Sequence, residues 1–328
     1  MKNNLKIFIT GGAGYVGTSL TEKLLELGYS VTVYDLFLYG NFFTDNPKLN
    51  LIKGDIRNEK LIEASMINHD IVIHLACISN DPSFELNPSL GKSINFDSFE
   101  PLVQISKKNK IKRFIYASSS SVYGIKKEKN VTEDIYLEPL TDYSKYKAEC
   151  EKILSKYSSK DFTTVTLRPA TVCGYSKRQR LDVVVNILTN HAYFNKKIIV
   201  FGGNQLRPNI NIKDMVEAYI CLINAPDTLI NNEVFNAGYE NNTVSELGLM
   251  VKNIIGNDVV IETKQSDDNR SYHINSSKIE KKLNFKPKYS INESIETLLF
   301  AFENKLLENT FDKSTYYNIK LMKEIDLA

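Results

Sequence analysis

The chain has no tryptophan, only four cysteines and four histidines in 328 residues, and a formal net charge of just +2. Each scarcity removes a class of protein. Cys77, Cys150, Cys173 and Cys221 are scattered, with no C-x-x-C pair and no histidine at ligand spacing. That argues against a disulfide framework and against a zinc site, so no metal is expected. The near balance of charge gives no reason to expect nucleic acid or a membrane as partner. The basic clusters at 107–110 and 126–129 read as solvated helix ends and loops. No apolar run is long enough to span a bilayer, and residues 1–4 lead into a strand without the apolar core of a signal peptide. A reducing cytoplasm is the expected setting.

What is present is ordinary in amount: 42% hydrophobic and 24% charged residues, as in a soluble globular enzyme of one large or two modest domains. Its order is more specific. Residues 6–10 are a short apolar, β-prone run, and Gly11, Gly12, Gly14 and Gly17 follow at once. Residues 18–27 then carry Leu20, Leu24 and Leu27 at helical spacing, closed by Gly28. A strand, a glycine turn and a helix in that order form a nucleotide cradle. The glycines let the backbone approach a pyrophosphate, whose charge sits at the helix N-terminus. Residues 31–35 form a second strand ending in Asp35, where a carboxylate can accept hydrogen bonds from the adenosine ribose; a plain turn or helix cap is the other reading. A carboxylate there repels a 2′-phosphate, and no arginine adjoins it, so NAD is expected over NADP. Further strands are expected at 51–56, 71–76, 113–117 and 164–168, with one helix over 90–108. This alternation predicts an α/β fold with a doubly wound parallel sheet, its ligands beyond the carboxyl ends of the strands.

The chemistry is expected at Tyr143 and Lys147, four apart and so on one face of a helix. A phenol has an unperturbed pKa of about 10, and an ammonium ~5 Å away at an effective dielectric of ~20 lowers it by roughly two units. Tyr143 then comes within range of acid–base work. An isolated Tyr and Lys at this spacing also describe an ordinary surface helix. The serine run 118–121 at the end of a strand, and the cradle upstream, distinguish this pair.

These motifs resemble the extended short-chain dehydrogenase/reductases of the nucleotide-sugar epimerase/dehydratase family over nearly the whole chain. The resemblance implies a Rossmann domain at 1–170 and 211–236, a smaller substrate domain at 171–210 and 237–310, and a tail from 311 that matches nothing recognised. It implies that Gly11, Gly14, Tyr15, Val16, Gly17 and Asp35 hold NAD, that Asp55 and Ile56 bracket the adenine, and that Leu75 and Ala76 line the cleft. Asn95 would support the site, and Lys147 would also reach the nicotinamide ribose. Ser119, five positions before Gly124, maps onto the family's catalytic hydroxyl, and Tyr143 onto its acid/base. His74, at a strand end, reads as a packed residue rather than a catalyst. Arg178 and Arg180, in a segment resembling a substrate-binding insertion, could reach a diphosphate, or could be surface charges. Arg207 matches the family's phosphate-binding arginine, and Arg270 an arginine near the nucleotide. Two departures stand out. Thr171 replaces a common asparagine, and Ser120 and Ser121 stand where the 4,6-dehydratases carry a carboxylate pair.

The resemblance therefore implies NAD-dependent hydride transfer at carbon 4 of a nucleotide-linked sugar, with a 4-epimerase as the leading reading. A one-way 4-ketosugar reductase or 4-dehydrogenase uses the same residues, and an NAD-sensing protein would need the glycine turn alone. A homodimer paired through the helices at 90–108 and 143–157 is the expected assembly.

Overall fold

The computed structural model describes residues 5–128, 130–265 and 271–327. Among these residues the twelve strands are β1 (Lys6–Thr10), β2 (Ser30–Asp35), β3 (Leu49–Lys53), β4 (Ile71–His74), β5 (Arg113–Ala117), β6 (Thr163–Pro169), β7 (Thr171–Cys173), β8 (Lys197–Phe201), β9 (Leu206–Asn211), β10 (Glu233–Ala237), β11 (Glu240–Thr243) and β12 (Val260–Lys264). Seven of them form one sheet in the order β10-β6-β5-β4-β1-β2-β3, and every pairing in it is parallel. The strand order reverses between β1 and β4, and such a switch point opens a crevice for a ligand.

Side chains alternate across the sheet and feed two cores. Ile7, Ile9, Val31 and Val33 pack with Leu20 and Leu24 of the helix Tyr15–Glu26 and with Tyr219 and Leu222 of the helix Ile212–Asn224. On the other face Phe8, Val72 and Phe114 pack with Phe99 and Leu102 of the helix Phe99–Lys108 and with Leu154 of the helix Asp142–Tyr157. Burial on both faces is why these strands read as continuous apolar runs.

After β6 the chain leaves this layer. Strands β11, β9 and β7 form a second small sheet, and β12 pairs with β8 in a third. They share a separate core, built from Leu188, Ile198, Val200, Leu247, Val251 and Ile295. The helix Ile212–Asn224 and β10 then return to the main sheet.

The helix expectation changes. The single helix over 90–108 is an α-turn, Pro88–Lys92, a π-helical turn, Ser93–Asp97, and an α-helix, Phe99–Lys108. The tail is an ordered element. Tyr316 is buried with Leu181, Leu298 and Phe302, and the helix Asn318–Glu324 follows it. Among the described residues, no helix is long and apolar enough to cross a membrane, and no group of three His, Cys, Asp or Glu is placed to hold a metal ion.

Candidate active site

A cavity of about 600 Å³ opens at the switch point, beyond the carboxyl ends of β1 and β4. Its wall begins with the glycine turn. Gly11 has φ +72, and a Cβ on it would lie 2.5 Å from the Ala76 backbone nitrogen; a Cβ on Gly17 would lie 2.6 Å from the Gly11 carbonyl oxygen. Only glycine lets the turn come this close to the β4 loop and to itself. Tyr15, Val16, Leu75 and Ala76 line the same wall. The Tyr15 hydroxyl donates to the Gly174 carbonyl at 2.6 Å, tying the cradle to the segment after β7.

Asp35 ends β2 and accepts from the Ala13 amide at 3.0 Å and the Phe37 amide at 2.8 Å. Burial pushes its carboxyl up, and those amides and the Arg178 guanidinium oppose the shift. Across the cleft, Arg178 stacks on Tyr39 with its guanidinium carbon 3.6 Å from the ring centre. Burial pulls the Arg178 guanidinium down to about 10. Its Nε is buried without a hydrogen-bond partner among the described residues. So the arginine missing beside Asp35 in the sequence arrives in three dimensions from 143 residues downstream. Arg178 is no surface charge: it is buried on the cavity wall, at the Asp35 end. Asp55 and Ile56 line the cavity too. The Asp55 carboxylate takes a 2.6 Å ion pair from Arg57, whose hydrogen bond is the main reason its pKa lies below the usual range.

The residues expected to transfer the proton gather at the other end. Thr141 caps the helix Asp142–Tyr157 through a reciprocal hydrogen bond with Ser144, and its hydroxyl donates to Asp81. Behind the helix, Glu151 pairs with Arg168 of β6 at 2.6 Å and accepts from the Ser118 hydroxyl. The helix is thereby held with Tyr143 and Lys147 toward the cavity, which both residues line with Ser119, Ser120 and Ser121. The Ser119 hydroxyl is 2.9 Å from the Ser121 hydroxyl. Burial drives the Tyr143 phenol well above its ordinary range; Cys77 and Asp81 add to that, while the Arg180 guanidinium and the nearby Ser119 hydroxyl oppose it. This runs against the expectation that the Lys147 ammonium lowers the phenol into range: burial outweighs it. The Lys147 ammonium donates to the Ala117 carbonyl at 2.7 Å and lies 5.9 Å from the Tyr143 ring centre.

The other expected residues divide. Thr171 and Arg180 line the cavity. Asn95 does not; in the π-helical turn its side chain accepts from the Ile78 amide at 2.8 Å and donates to the Ile78 carbonyl at 2.9 Å, fixing the β4 loop. Arg207 also lies off the wall, 5.5 Å from the ring centre of Tyr272, which does line it. Arg270 lies outside the described residues. His74 is packed: Nδ1 is 2.7 Å from the Thr10 hydroxyl, the ring stacks on Tyr116, and burial lowers its pKa to about 3. Sequence reasoning missed Tyr39, Cys77, Ser79, Asp81, Asn318 and Met322, all on the cavity wall. No local motif marks them; only adjacency to the Ala76 position could have suggested the β4 loop.

The residues present fit a dinucleotide. Amides at the start of a helix suit a pyrophosphate, a buried carboxylate suits ribose hydroxyls, and the free donor of Arg178 suits an anion.

Residues 7–238 match the model of the NAD dependent epimerase/dehydratase family. A UDP-glucose 4-epimerase of Lactobacillus helveticus is 26% identical over 318 residues, covering 89% of this chain and 96% of that protein. UDP-glucuronic acid decarboxylase 1 of Arabidopsis thaliana is 28% identical over 326 residues, covering 93% of this chain and 72% of the other. Among solved structures, a UDP-glucose 4-epimerase from Thermotoga maritima with UDP-glucose superposes with a TM-score of 0.84 at 26% identity, over 92% of this chain and 100% of that one. A dTDP-glucose 4,6-dehydratase from Streptomyces venezuelae, with NAD bound, shares the fold at a TM-score of 0.83 and 21% identity, over 92% of this chain and 98% of that one.

Proposed function

The chain belongs to the NAD-dependent epimerase/dehydratase family, as an enzyme of the extended short-chain dehydrogenase type that uses NAD, and we propose that it is a 4-epimerase of a nucleoside-diphosphate sugar. The observation that carries this reading is the convergence of Ser119, Tyr143 and Lys147 on one cavity with the glycine turn. NAD, when bound, supplies the ring that accepts and returns a hydride at carbon 4 of the sugar. This chain's residues do the rest. The glycine turn and the first helix hold the pyrophosphate, and Asp35 the adenosine ribose. Ser119 holds the 4-oxygen, and Tyr143 takes its proton as the hydride leaves carbon 4, then gives the proton back when the hydride returns to the opposite face. The sugar nucleotide lies between the main sheet and the layer of residues 171–210 and 237–310, with Thr171 facing it. Arg178, Arg180, Arg207 and Arg270 are the phosphate candidates. On the family resemblance, the enzyme works in the cytoplasm as a homodimer paired through the helices Phe99–Lys108 and Asp142–Tyr157.

Removing water across carbons 5 and 6 needs one group to take a proton and another to deliver one. On the family resemblance, Ser120 and Ser121 occupy the places where the 4,6-dehydratases carry a carboxylate pair, and unactivated hydroxyls are too weak for either task. Asp81 shares the cavity wall with Tyr143 and binds the Thr141 hydroxyl. The test is incubation with UDP-, GDP-, CDP- and dTDP-sugars followed by mass spectrometry, starting with UDP-glucose because named relatives act on UDP-sugars. A product of unchanged mass is expected; a two-hydrogen change would select the reductase or dehydrogenase reading. A product lighter by one water would assign Asp81 the missing acid–base work and replace the epimerase reading.

A further inference from the structure

The segment after β7 and the chain's last residues meet in a closed ring of hydrogen bonds on the cavity wall. Arg180 Nε donates to the Asp182 carboxylate at 2.5 Å, and its Nη1 donates to the Ser79 hydroxyl at 3.0 Å. The Asn318 side chain donates to the same Ser79 hydroxyl at 3.0 Å and accepts from Arg178 Nη2 at 3.0 Å. The Asn318 amide closes the ring on Asp182 at 2.8 Å. Asn318 is 3% exposed, and its helix extends along the cavity wall through Met322. The ring fixes Arg180 through Nε and Nη1 but leaves Nη2 buried with no partner among the described residues. Ser79, the anchor of Nη1, lies in the β4 loop between Cys77 and Asp81, the two groups that press on Tyr143 from that side.

A buried guanidinium is seldom left with an open donor unless something arrives to take it. Two charges could do so here: a ligand phosphate or the tyrosine itself. The anchoring decides between them. Arg178 leans toward Asp35 and Tyr39, whereas Arg180 is tied to the loop that covers Tyr143. We propose that Arg180 is the counter-cation of the Tyr143 phenolate during proton transfer, with Asn318 of the closing segment as the positioning residue that holds it there. The proposal rests on Tyr143 being the acid/base group of the proposed function. Arg180 exchanges no atom in the reaction. It offsets the negative charge that the phenol oxygen carries before it takes the proton and after it returns it. The charged and titratable groups facing Tyr143 are Cys77 and Asp81 from the β4 loop, Lys147 from its own helix, and Arg180; the Ser119 hydroxyl lies near it as well. Those facing Arg180 are Asp182, Tyr39 and Tyr143, together with Arg178. Asp182 thus partly neutralises the very charge Tyr143 needs, and this gives the proposal a signature with two signs.

The experiment is NMR of NAD-loaded protein labelled at the tyrosine Cζ carbons, with the Tyr143 signal assigned by its loss in Tyr143→Phe, alongside the pH dependence of kcat/KM. Arg180→Met should move the Tyr143 titration, and the acid limb of the rate profile, upward by about one unit, as loss of a nearby opposite charge does. Arg180→Lys should stay closer to the parent than Arg180→Met. Asp182→Asn, which keeps an acceptor for the Asn318 amide, should move both readouts downward. Mere damage to the wall would shift Arg180→Met and Asp182→Asn the same way, and that result, like an unmoved Tyr143 in Arg180→Met, would overturn the proposal. The NMR readout needs no turnover. A silent Arg180 with an inactive Tyr143→Phe would sink this inference alone, whereas an active Tyr143→Phe would sink the function it rests on.

Discussion

At Tyr143 burial and function oppose each other. The side chain must sit out of water to exclude side reactions, yet burial favours the neutral phenol and so weakens it as a base. The Arg180 guanidinium and the nearby Ser119 hydroxyl counter this. Tyr143→Phe removes only the hydroxyl. We expect it to lower kcat by about 10²–10⁴-fold while NAD stays bound, measured by cofactor content after gel filtration. Turnover within threefold of the parent would exclude Tyr143 as the proton-transfer group. Asp35 gives a second test at this scale. Because Arg178 already stands across the cleft, Asp35→Asn alone should raise NADPH affinity relative to NADH by about tenfold, through loss of one like charge near the 2′-phosphate. Fluorescence titration with the two reduced cofactors measures the ratio, and an unchanged ratio would mean that the ribose hydroxyls are held elsewhere.

The helix Asp142–Tyr157 carries Tyr143 and Lys147, and the contacts that aim it are buried. The Glu151 carboxylate holds Arg168 at 2.6 Å, and Arg168 Nη1 continues to the Tyr123 hydroxyl at 2.8 Å. Glu151→Ala leaves a buried guanidinium without its carboxylate, so we expect a loss of about 3–5 kcal/mol in urea unfolding. A loss below about 1 kcal/mol would show that the pair does not hold the helix. The glycine turn and the Tyr143 to Lys147 spacing were legible in the sequence because each is local: a turn needs its glycines within seven residues, and a helix face repeats every three or four. The π-helical turn was not legible. Asn95 lies in it with both side-chain bonds on Ile78, a partner 17 positions away that no periodicity reveals.

Over the whole molecule the site is an event of topology. The switch between β1 and β4 opens the crevice, and four separate stretches then close on it: residues 75–81, 118–121, 178–182 and the chain's end. The first two follow strands that the sequence announces. The last two carry polar side chains whose partners lie 101 and 239 positions apart, Arg180 and Asn318 both meeting Ser79. Such long-range pairs leave no pattern along the chain, which is why the tail matched nothing recognised and why Arg178 and Arg180 were open between phosphate ligands and surface charges. The reaction is also a property of the whole cavity, since an epimerase must let the oxidised sugar turn and still return its hydride. The most direct measurement follows deuterium placed at carbon 4 of UDP-glucose, or of whichever sugar nucleotide the mass screen identifies. We expect the deuterium to reappear at carbon 4 of the product epimer, with none in the solvent and none in free reduced cofactor. Loss of the label to released cofactor, or an epimer with hydrogen in its place, would contradict a 4-epimerase that keeps its hydride within the closed site.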